Sequence, residues 1–245
     1  MPAPVSQTPP YFPHDSIIKI NEMHKEITQP NIETISISKV SGGNFQHFKG
    51  HFKLKLVTVD FDNLPIPSNV SIPAFEWIEK QTEPAHNDEY MNWLQTYIPL
   101  SNRDWYDVGN NKHLLDYQNP RLPFKIYGGT DVVVVKKGEK GVDFNTIQED
   151  TFAVLELKKK IERKHIFKVI VEMFVADLLA SDDKKVFGIL SNLIDEWYIL
   201  WFEDMKIKSW KASSRDIAVE VISRLLRDSS GVDMEGTSII IPCQA

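Results

Sequence analysis

The stretch GGTDVVVVKKGEKGVDFNTIQEDTFAVLELK, residues 128–158, decides the fold of this chain. Two short apolar runs, Asp131–Val135 and Phe152–Leu157, flank a polar segment that contains Gly138 and Gly141. Valine-rich runs of this length, bounded by turn residues, are typical of buried strands. The sequence therefore predicts two strands joined as a hairpin.

Charged residues lie at one end of this predicted hairpin. Glu156 and Lys158 close the second run, with Leu157 between them. Because side chains alternate across a strand, Glu156 and Lys158 are expected to point to the same face. In an antiparallel pair the start of the first strand lies beside the end of the second, so Asp131 should face both. The sequence thus predicts two carboxylates and one ammonium group at one end of a sheet.

This combination of side chains has a chemical use. Two neighbouring carboxylates suit Mg²⁺ or a similar hard cation, which can polarise a phosphoryl oxygen and activate a water molecule. A lysine beside them can orient or deprotonate that water, or neutralise charge that develops on a phosphate. The alternative is an ordinary charged pair where a strand enters solvent. The preceding Gly-Thr-Asp run and the apolar surroundings of Glu156 favour the catalytic interpretation.

Asp131, followed by Glu156-Leu157-Lys158, resembles the metal-binding signature of the PD-(D/E)xK nuclease superfamily. The segments HIFKVIVEMFVADLLA and KVFGILSNLIDEWYILWFE resemble the helix and hairpin that follow this motif in the nuclease domains of Crinkler-type proteins of fungi and oomycetes. The similarity covers residues 127–202. The sequence departs from the superfamily pattern in two places. The superfamily helix often carries a Gln four residues before a Glu; here Lys168 takes the place of that Gln, and Glu172 is the Glu. Thr130 takes the place of the leading Pro.

The resemblance implies an α/β fold with a restriction-endonuclease-like core, in which a central mixed sheet is flanked by helices. It implies that Asp131 and Glu156 bind Mg²⁺ or Mn²⁺, that the Leu157 carbonyl completes the coordination, and that Lys158 positions the attacking water. The implied activity is metal-dependent hydrolysis of phosphodiester bonds in nucleic acid, with DNA favoured over RNA. The alternative is a catalytically silent member of the same fold that binds DNA or protein.

A basic cluster follows the second strand and opens the next predicted helix. Its members are Lys159, Lys160, Arg163, Lys164 and Lys168. The formal net charge of the chain is −6, which argues against a broad non-specific surface for nucleic acid and leaves room for a local patch. We expect the cluster to bind the phosphates of the substrate, with a solvated start of the helix as the alternative.

The remaining sequence bounds the domain organisation and the compartment. Residues 1–30 are rich in proline and are predicted to form an extended, poorly ordered lead, and residues 31–245 to form the nuclease domain with an N-terminal strand addition. A single cysteine, Cys243, excludes an internal disulfide framework. Neither a secretory signal nor an apolar run of membrane length is apparent, which predicts an intracellular protein of the cytoplasm or nucleus. An effector role would fit the resemblance, although the LxLFLAK-like targeting motif of such proteins is not found.

Further elements are expected on both sides of the central hairpin. They are a short strand within residues 31–40, a half-buried strand over residues 51–61, helices over Ile72–Lys80 and Glu89–Ile98, a long connection over residues 101–123, a turn at Ile194–Glu196 between two strands, and a last helix that begins at Ser213 or Ser214. A zinc site at His47 and His51 is not expected, because residues four apart on a strand lie about 13 Å from each other. The resemblance suggests Glu76 or Glu89 as an additional metal-holding residue of the first core helix.

Overall fold

A computed structural model describes residues 33–60, 71–119, 124–138, 143–181, 185–203 and 205–227. The strands in these ranges are β1 (Glu33–Ser36), β2 (Lys55–Thr58), β3 (Arg103–Asp107), β4 (Tyr117–Gln118), β5 (Phe124–Tyr127), β6 (Val132–Lys136), β7 (Ala153–Leu157), β8 (Phe187–Ser191), β9 (Trp197–Glu203) and β10 (Lys206–Lys211). The helices are α1 (Gly42–His51), α2 (Asn87–Tyr97), α3 (Phe144–Glu149), α4 (Arg163–Leu179) and α5 (Arg215–Leu225). Short 3-10 turns cover Ile37–Lys39 and Glu83–His86.

The strands form two sheets. The larger sheet has seven strands in the order β2-β10-β9-β8-β7-β6-β3, and the smaller has three in the order β1-β5-β4. In the larger sheet β7 and β8 run parallel and are joined by α4, whereas β6 pairs with β7, and β8 with β9, in antiparallel fashion. The predicted α/β fold with a mixed sheet flanked by helices is therefore confirmed.

The core is divided between the two faces of the larger sheet. Val133 and Val135 of β6 pack on the face that carries α1 and α4, and Val132 and Val134 pack on the face that carries α2 and α5. Because helices cover both faces, β6 and β7 are apolar at nearly every position rather than at alternate ones. Glu156 is the buried exception in β7, on the face toward α4.

Helix α4 packs closely on the sheet at Gly188 of β8. A Cβ atom at this position would come within 2.9 Å of Cγ1 of Val169 in α4. The missing side chain therefore allows the helix to approach β7 and β8. The inner surface of α4, which carries Lys168 and Glu172, consequently lies beside Glu156.

The predicted central hairpin is confirmed, and its connection contains a helix that the sequence pattern did not predict. Val132 pairs with Leu155 and Val134 with Ala153, so the strands are antiparallel and in the expected register. Helix α3 lies in the connection and begins after Asp143, whose side chain accepts hydrogen bonds from two backbone N–H groups of the first turn. Asp143 therefore caps α3 in the ordinary way.

Several outlying predictions are also confirmed. Helix α2 spans most of the predicted Glu89–Ile98 helix, β8 and β9 flank the predicted turn, and Ser214 caps α5 by accepting a hydrogen bond from the N–H of Ile217. Strand β10 was not predicted, and β3 and β4 lie within the predicted long connection.

The predicted helix over Ile72–Lys80 is wrong. These residues form no regular helix because their polar groups bond to other parts of the chain. The N–H of Ile72 donates to Asp216, that of Phe75 to the carbonyl of Leu193, and the indole N–H of Trp77 to the carbonyl of Asn192. The segment is thus an extended strap across one end of the α5 face.

The predicted strand over residues 51–61 is correct only at Lys55–Thr58, and its final residue lies outside the described part of the chain. His51, the first residue of the predicted strand, is the last residue of α1, which buries Phe45 and Phe48 at helical spacing. His47 and His51 therefore lie one turn apart on a helix, so the reason given against a metal there was wrong. His47 instead pairs with Glu33 at 2.7 Å, and both imidazole rings pack edge-on against Phe124.

The predicted proline-rich lead, residues 1–30, lies outside the described residues, and so does the C-terminal tail after residue 227. Within the described residues, no helix combines the length and the apolar character that a bilayer crossing requires.

Candidate functional site

The end of the central hairpin brings the predicted site residues together. Asp131 immediately precedes β6 and lies opposite Glu156, because Val132 pairs with Leu155. The backbone N–H of Leu157 donates a hydrogen bond of 2.8 Å to Oδ2 of Asp131. This bond fixes the carboxylate of Asp131 across the ladder from the acidic residue of the second strand.

The ammonium group of Lys158 lies among four oxygen atoms. Its Nζ is 2.7 Å from the carbonyl oxygen of Leu157 and 2.7 Å from Oε1 of Glu156. Oδ2 of Asp131 is 3.5 Å away, and Oε2 of Glu83 is 3.1 Å away. The side chain of Lys158 is only 16% exposed, so these oxygens replace most of its hydration.

Two charged side chains of α4, Lys168 and Glu172, lie beside Glu156 on the face of the sheet that α4 covers. Lys168 contacts Oε1 of Glu156 and lies 3.4 Å from Oε1 of Glu172, one helical turn further on. Oε2 of Glu172 is 3.3 Å from the hydroxyl of Thr130. The side chains of Glu156 and Glu172 are fully buried, and Oε2 of Glu156 and Oε1 of Glu172 have no hydrogen-bond partner among the described residues.

Burial and crowding shift the proton equilibria of these carboxylates. Burial, reinforced by the charge of Asp131, raises the pKa of Glu156. Burial, reinforced by the charge of Glu156, raises the pKa of Glu172 well above its usual value. Both shifts express the cost of holding several negative charges in a space from which water is largely excluded.

The two lysines shift in the direction that keeps them charged. Burial opposes the charge of Lys158, but the carboxylates of Glu156 and Asp131 outweigh burial and raise its pKa. Burial is likewise outweighed at Lys168, where Glu172 and Glu156 raise the pKa. Both side chains are therefore permanent cations at physiological pH.

The charges of the cluster do not balance. In the described part of the chain, the carboxylates of Glu83, Asp131, Glu156 and Glu172 form ion pairs with two ammonium groups, those of Lys158 and Lys168. The formal excess is two negative charges. A divalent cation or two bound protons would remove this excess, and Oε2 of Glu156, which has no hydrogen-bond partner among the described residues, is available to such a charge.

A polar chain borders the site on the side of α2. The hydroxyl of Tyr90 donates to Oδ1 of Asn87, whose amide donates to Oδ2 of Asp107 at 2.8 Å. Burial, together with the charge of Asp107, raises the pKa of Tyr90. The phenol therefore stays neutral and acts as a hydrogen-bond donor. The helical spacing of Tyr90 predicted only that it would pack in the core.

The predicted basic cluster is divided by the structure. Lys168 lies in the buried layer of the site, and Lys159 donates to the carbonyl oxygens of Ile78, at 2.6 Å, and Gln81. The remaining three members are exposed at the start of α4 and just before it. They are Lys160, Arg163 and Lys164. These three are accessible to a substrate, although Arg163 lies over the ring of Phe167, 5.6 Å from its centroid, and Lys164 pairs with the exposed Glu162.

Glu83 is the site residue that sequence reasoning missed. It lies in the 3-10 turn before α2, in the gap between two predicted helices, and no periodic pattern marks it. The candidates Glu76 and Glu89 are both exposed. The local signal at Glu83 is Pro84, which marks the beginning of a helical turn, so an acid at this position could have been placed at the entrance of the first core helix.

The oxygen atoms implied as metal ligands are compatible with a hard cation. Within the described residues, no group of three or more His, Cys, Asp or Glu side chains is arranged to hold a metal ion. The implied set needs only two such side chains, Asp131 and Glu156, together with the Leu157 carbonyl and water. All three protein oxygens contact one cationic atom, Nζ of Lys158. The ammonium thus marks a position at which these donors can surround a positive charge.

Comparison of the chain with protein-family models, with curated proteins and with solved structures finds no match.

Proposed function

We propose that the protein is a metal-dependent nuclease of the PD-(D/E)xK type that hydrolyses phosphodiester bonds in nucleic acid, with DNA as the favoured substrate. The observation that carries the proposal is the convergence of Asp131, Glu156 and the Leu157 carbonyl on the ammonium of Lys158 at one end of the hairpin. The elements α2, β6, β7, α4, β8 and β9 occur in the predicted α–β–β–α–β–β succession, with β3, β4, β5 and α3 inserted, which supports a restriction-endonuclease-like core.

Each residue has a distinct task in this proposal. Asp131, Glu156 and the carbonyl of Leu157 would hold Mg²⁺ or Mn²⁺, which supplies Lewis acidity toward a phosphoryl oxygen and an activated water. Lys158, whose Nζ lies 2.7 Å from Oε1 of Glu156 and 3.5 Å from Oδ2 of Asp131, would stabilise negative charge on the phosphate or orient the attacking water. Lys168, on α4, forms an ion pair with Glu156 and so fixes the position of its carboxylate.

The first test removes the proposed metal ligands one at a time. Asp131→Ala should abolish both Mg²⁺-dependent cleavage of plasmid DNA and the calorimetric binding of Mn²⁺, because it removes one of two charged ligands. Glu156→Ala should abolish cleavage as well. Asp88→Asn, an exposed substitution on α2, is the matched control and should leave both properties unchanged.

Two outcomes would contradict this assignment. Unchanged Mn²⁺ binding in Asp131→Ala would show that the ion binds elsewhere. DNA binding by the wild type without cleavage in Mg²⁺ or Mn²⁺ would favour the catalytically silent alternative.

The second test concerns how an acidic protein binds a polyanion. Each Lys or Arg that neutralises a phosphate contributes roughly 0.9 to the slope of log affinity against log salt on duplex DNA. The three exposed residues Lys160, Arg163 and Lys164 lead us to expect two or three contacts and a shallow slope. Reversing both Arg163 and Lys164 to Glu should flatten that slope and weaken binding, without changing the affinity for Mn²⁺.

The matched control for the charge reversal is a pair of lysines on another surface, Lys49→Glu with Lys55→Glu. This pair should leave the slope unchanged. A slope that is unaltered at Arg163 and Lys164 but flattened at Lys49 and Lys55 would place the nucleic-acid surface at α1 and β2.

A further inference from the structure

The oxygen atoms around the Lys158 ammonium come from two separate parts of the chain. Three of its neighbours, on Asp131, Glu156 and Leu157, belong to the hairpin and are the donors implied for a divalent cation. The fourth, Oε2 of Glu83, comes from a separate turn and belongs to no predicted ligand set. The ammonium therefore occupies the position at which the hairpin donors converge and also has a partner outside it.

Glu83 is anchored independently of the ammonium. Its Oε1 accepts a hydrogen bond of 3.0 Å from the backbone N–H of Lys159, while its Oε2 receives Lys158. One carboxylate oxygen thus fixes the side chain to the end of the catalytic strand, and the other is available to a cation. Glu83 does not need Lys158 in order to stay in place.

A divalent cation and the ammonium cannot share the hairpin oxygens. Two positive charges on the same three donors repel each other strongly where water is largely excluded. The flexible four-carbon stem of Lys158 lets its ammonium leave these oxygens when a cation binds them. Within the described residues, Glu83 is the acidic partner of Lys158 that lies outside the hairpin and α4.

We propose that Glu83 is a positioning residue that retains the Lys158 ammonium at the edge of the site when a divalent cation takes the hairpin oxygens. The inference rests on the proposed function. In the metal-free protein Glu83 is one of four oxygen partners of the ammonium, and in the metal-bound protein it is the acidic partner that remains. Removal of its charge should therefore cost more in the metal-bound state than in the metal-free state.

A double-mutant cycle measured by calorimetric titration with Mn²⁺ tests this role. Glu83→Gln keeps an acceptor for the N–H of Lys159 and removes the negative charge. We expect it to weaken Mn²⁺ binding about tenfold, within the range of coupling for residues in contact. Lys158→Met removes the internal competitor and should tighten Mn²⁺ binding about tenfold. In the Lys158→Met background, Glu83→Gln should change the affinity by less than about threefold, because no ammonium is left to retain.

The outcomes separate three explanations. Equal weakening by Glu83→Gln in both backgrounds would overturn the inference and make Glu83 a metal ligand. An unchanged affinity in the Lys158-containing background would overturn it as well. Glu79→Gln, an exposed substitution shortly before the turn, is the control and should have no effect on Mn²⁺ affinity in either background.

Failure of the proposed function itself would look different. In that case the wild type would bind no Mn²⁺, or would bind it without dependence on Asp131, and this inference would fall with it. Thermal unfolding of each variant establishes that the titrated protein is folded. If Glu83→Gln lowers the melting temperature but leaves the Mn²⁺ affinity unchanged in both backgrounds, Glu83 has a structural role only and the inference is overturned.

Discussion

Replacement of Lys158 by methionine should lower the rate of Mg²⁺-dependent phosphodiester cleavage by about 10²–10⁴-fold while the protein remains folded. The ammonium contacts both carboxylates that are proposed to hold the metal, so it lies within reach of any phosphate bound there. Methionine keeps most of the apolar stem and removes only the charge. Turnover should be measured at saturating Mn²⁺, because the substitution is also expected to change the affinity for the metal.

Lys160→Met is the matched control for this rate effect. Lys160 follows in the same segment but is exposed, and its loss should cost little turnover. Lys159 is a poorer control, because its side chain is bonded to the carbonyls of Ile78 and Gln81. Equal losses in Lys158→Met and Lys160→Met would mean that general basicity near the site, rather than the position of one ammonium, supports cleavage.

Replacement of Lys168 by methionine should destabilise the protein by about 3–5 kcal/mol at neutral pH. Lys168 contacts Glu156 and is paired with Glu172, and both carboxylates are fully buried. Removal of one partner from a buried ionic cluster leaves uncompensated charge in a space with little water. Urea denaturation at pH 7 gives the free energy of unfolding of wild type and variant.

The destabilisation by Lys168→Met should depend on pH. Burial raises the pKa of Glu156 and Glu172 in the folded protein, so above about 4.5, their ordinary value, the folded state binds more protons than the unfolded chain. The stability of the fold therefore falls as the pH rises from that value through the folded pKa. Loss of the Lys168 ammonium should raise both pKa values further. The cost of the substitution should consequently be smallest near pH 5 and largest near pH 7.

The control for this effect lies on the same helix. Lys164 is exposed and pairs only with the exposed Glu162, so Lys164→Met should change the free energy of unfolding by less than about 0.5 kcal/mol. A loss below about 1 kcal/mol in Lys168→Met would show that the carboxylates are neutral and need no ammonium. A large loss that does not vary between pH 5 and pH 7 would show that their protonation does not change over this range.

Local patterns predicted the part of the site that local geometry controls. Two apolar runs, one of them Val132–Val135, and the turn residues between them predicted a hairpin. The alternation of side chains along its strands placed Asp131, Glu156 and Lys158 together. The apolar period of α4 predicted that helix, although it did not indicate that Lys168 faces inward. A lysine within a basic run is ordinarily solvated, and only the buried Glu156 and Glu172 explain why this one is not.

Contacts between distant segments account for what was missed. The strap over Ile72–Lys80 is extended because Asp216, Leu193 and Asn192 accept its hydrogen bonds, and none of these partners is a neighbour in the sequence. Glu83 reaches Lys158 from 75 residues away. Periodicity within a short window carries no information about such pairs.

The same difference in sequence separation bears on the order in which the site assembles during folding. Thr130, just before the hairpin, and Glu172, within α4, are 42 residues apart, and Lys168 and Glu156 are 12 apart. Segments with shorter separations close their loops at a lower entropic cost and form contacts sooner. The hairpin and α4 can thus bring Asp131, Glu156 and both lysines together as one nascent unit. We expect Glu83, which is 75 residues from Lys158, to join this unit later, when the turn before α2 docks and completes the surroundings of Lys158.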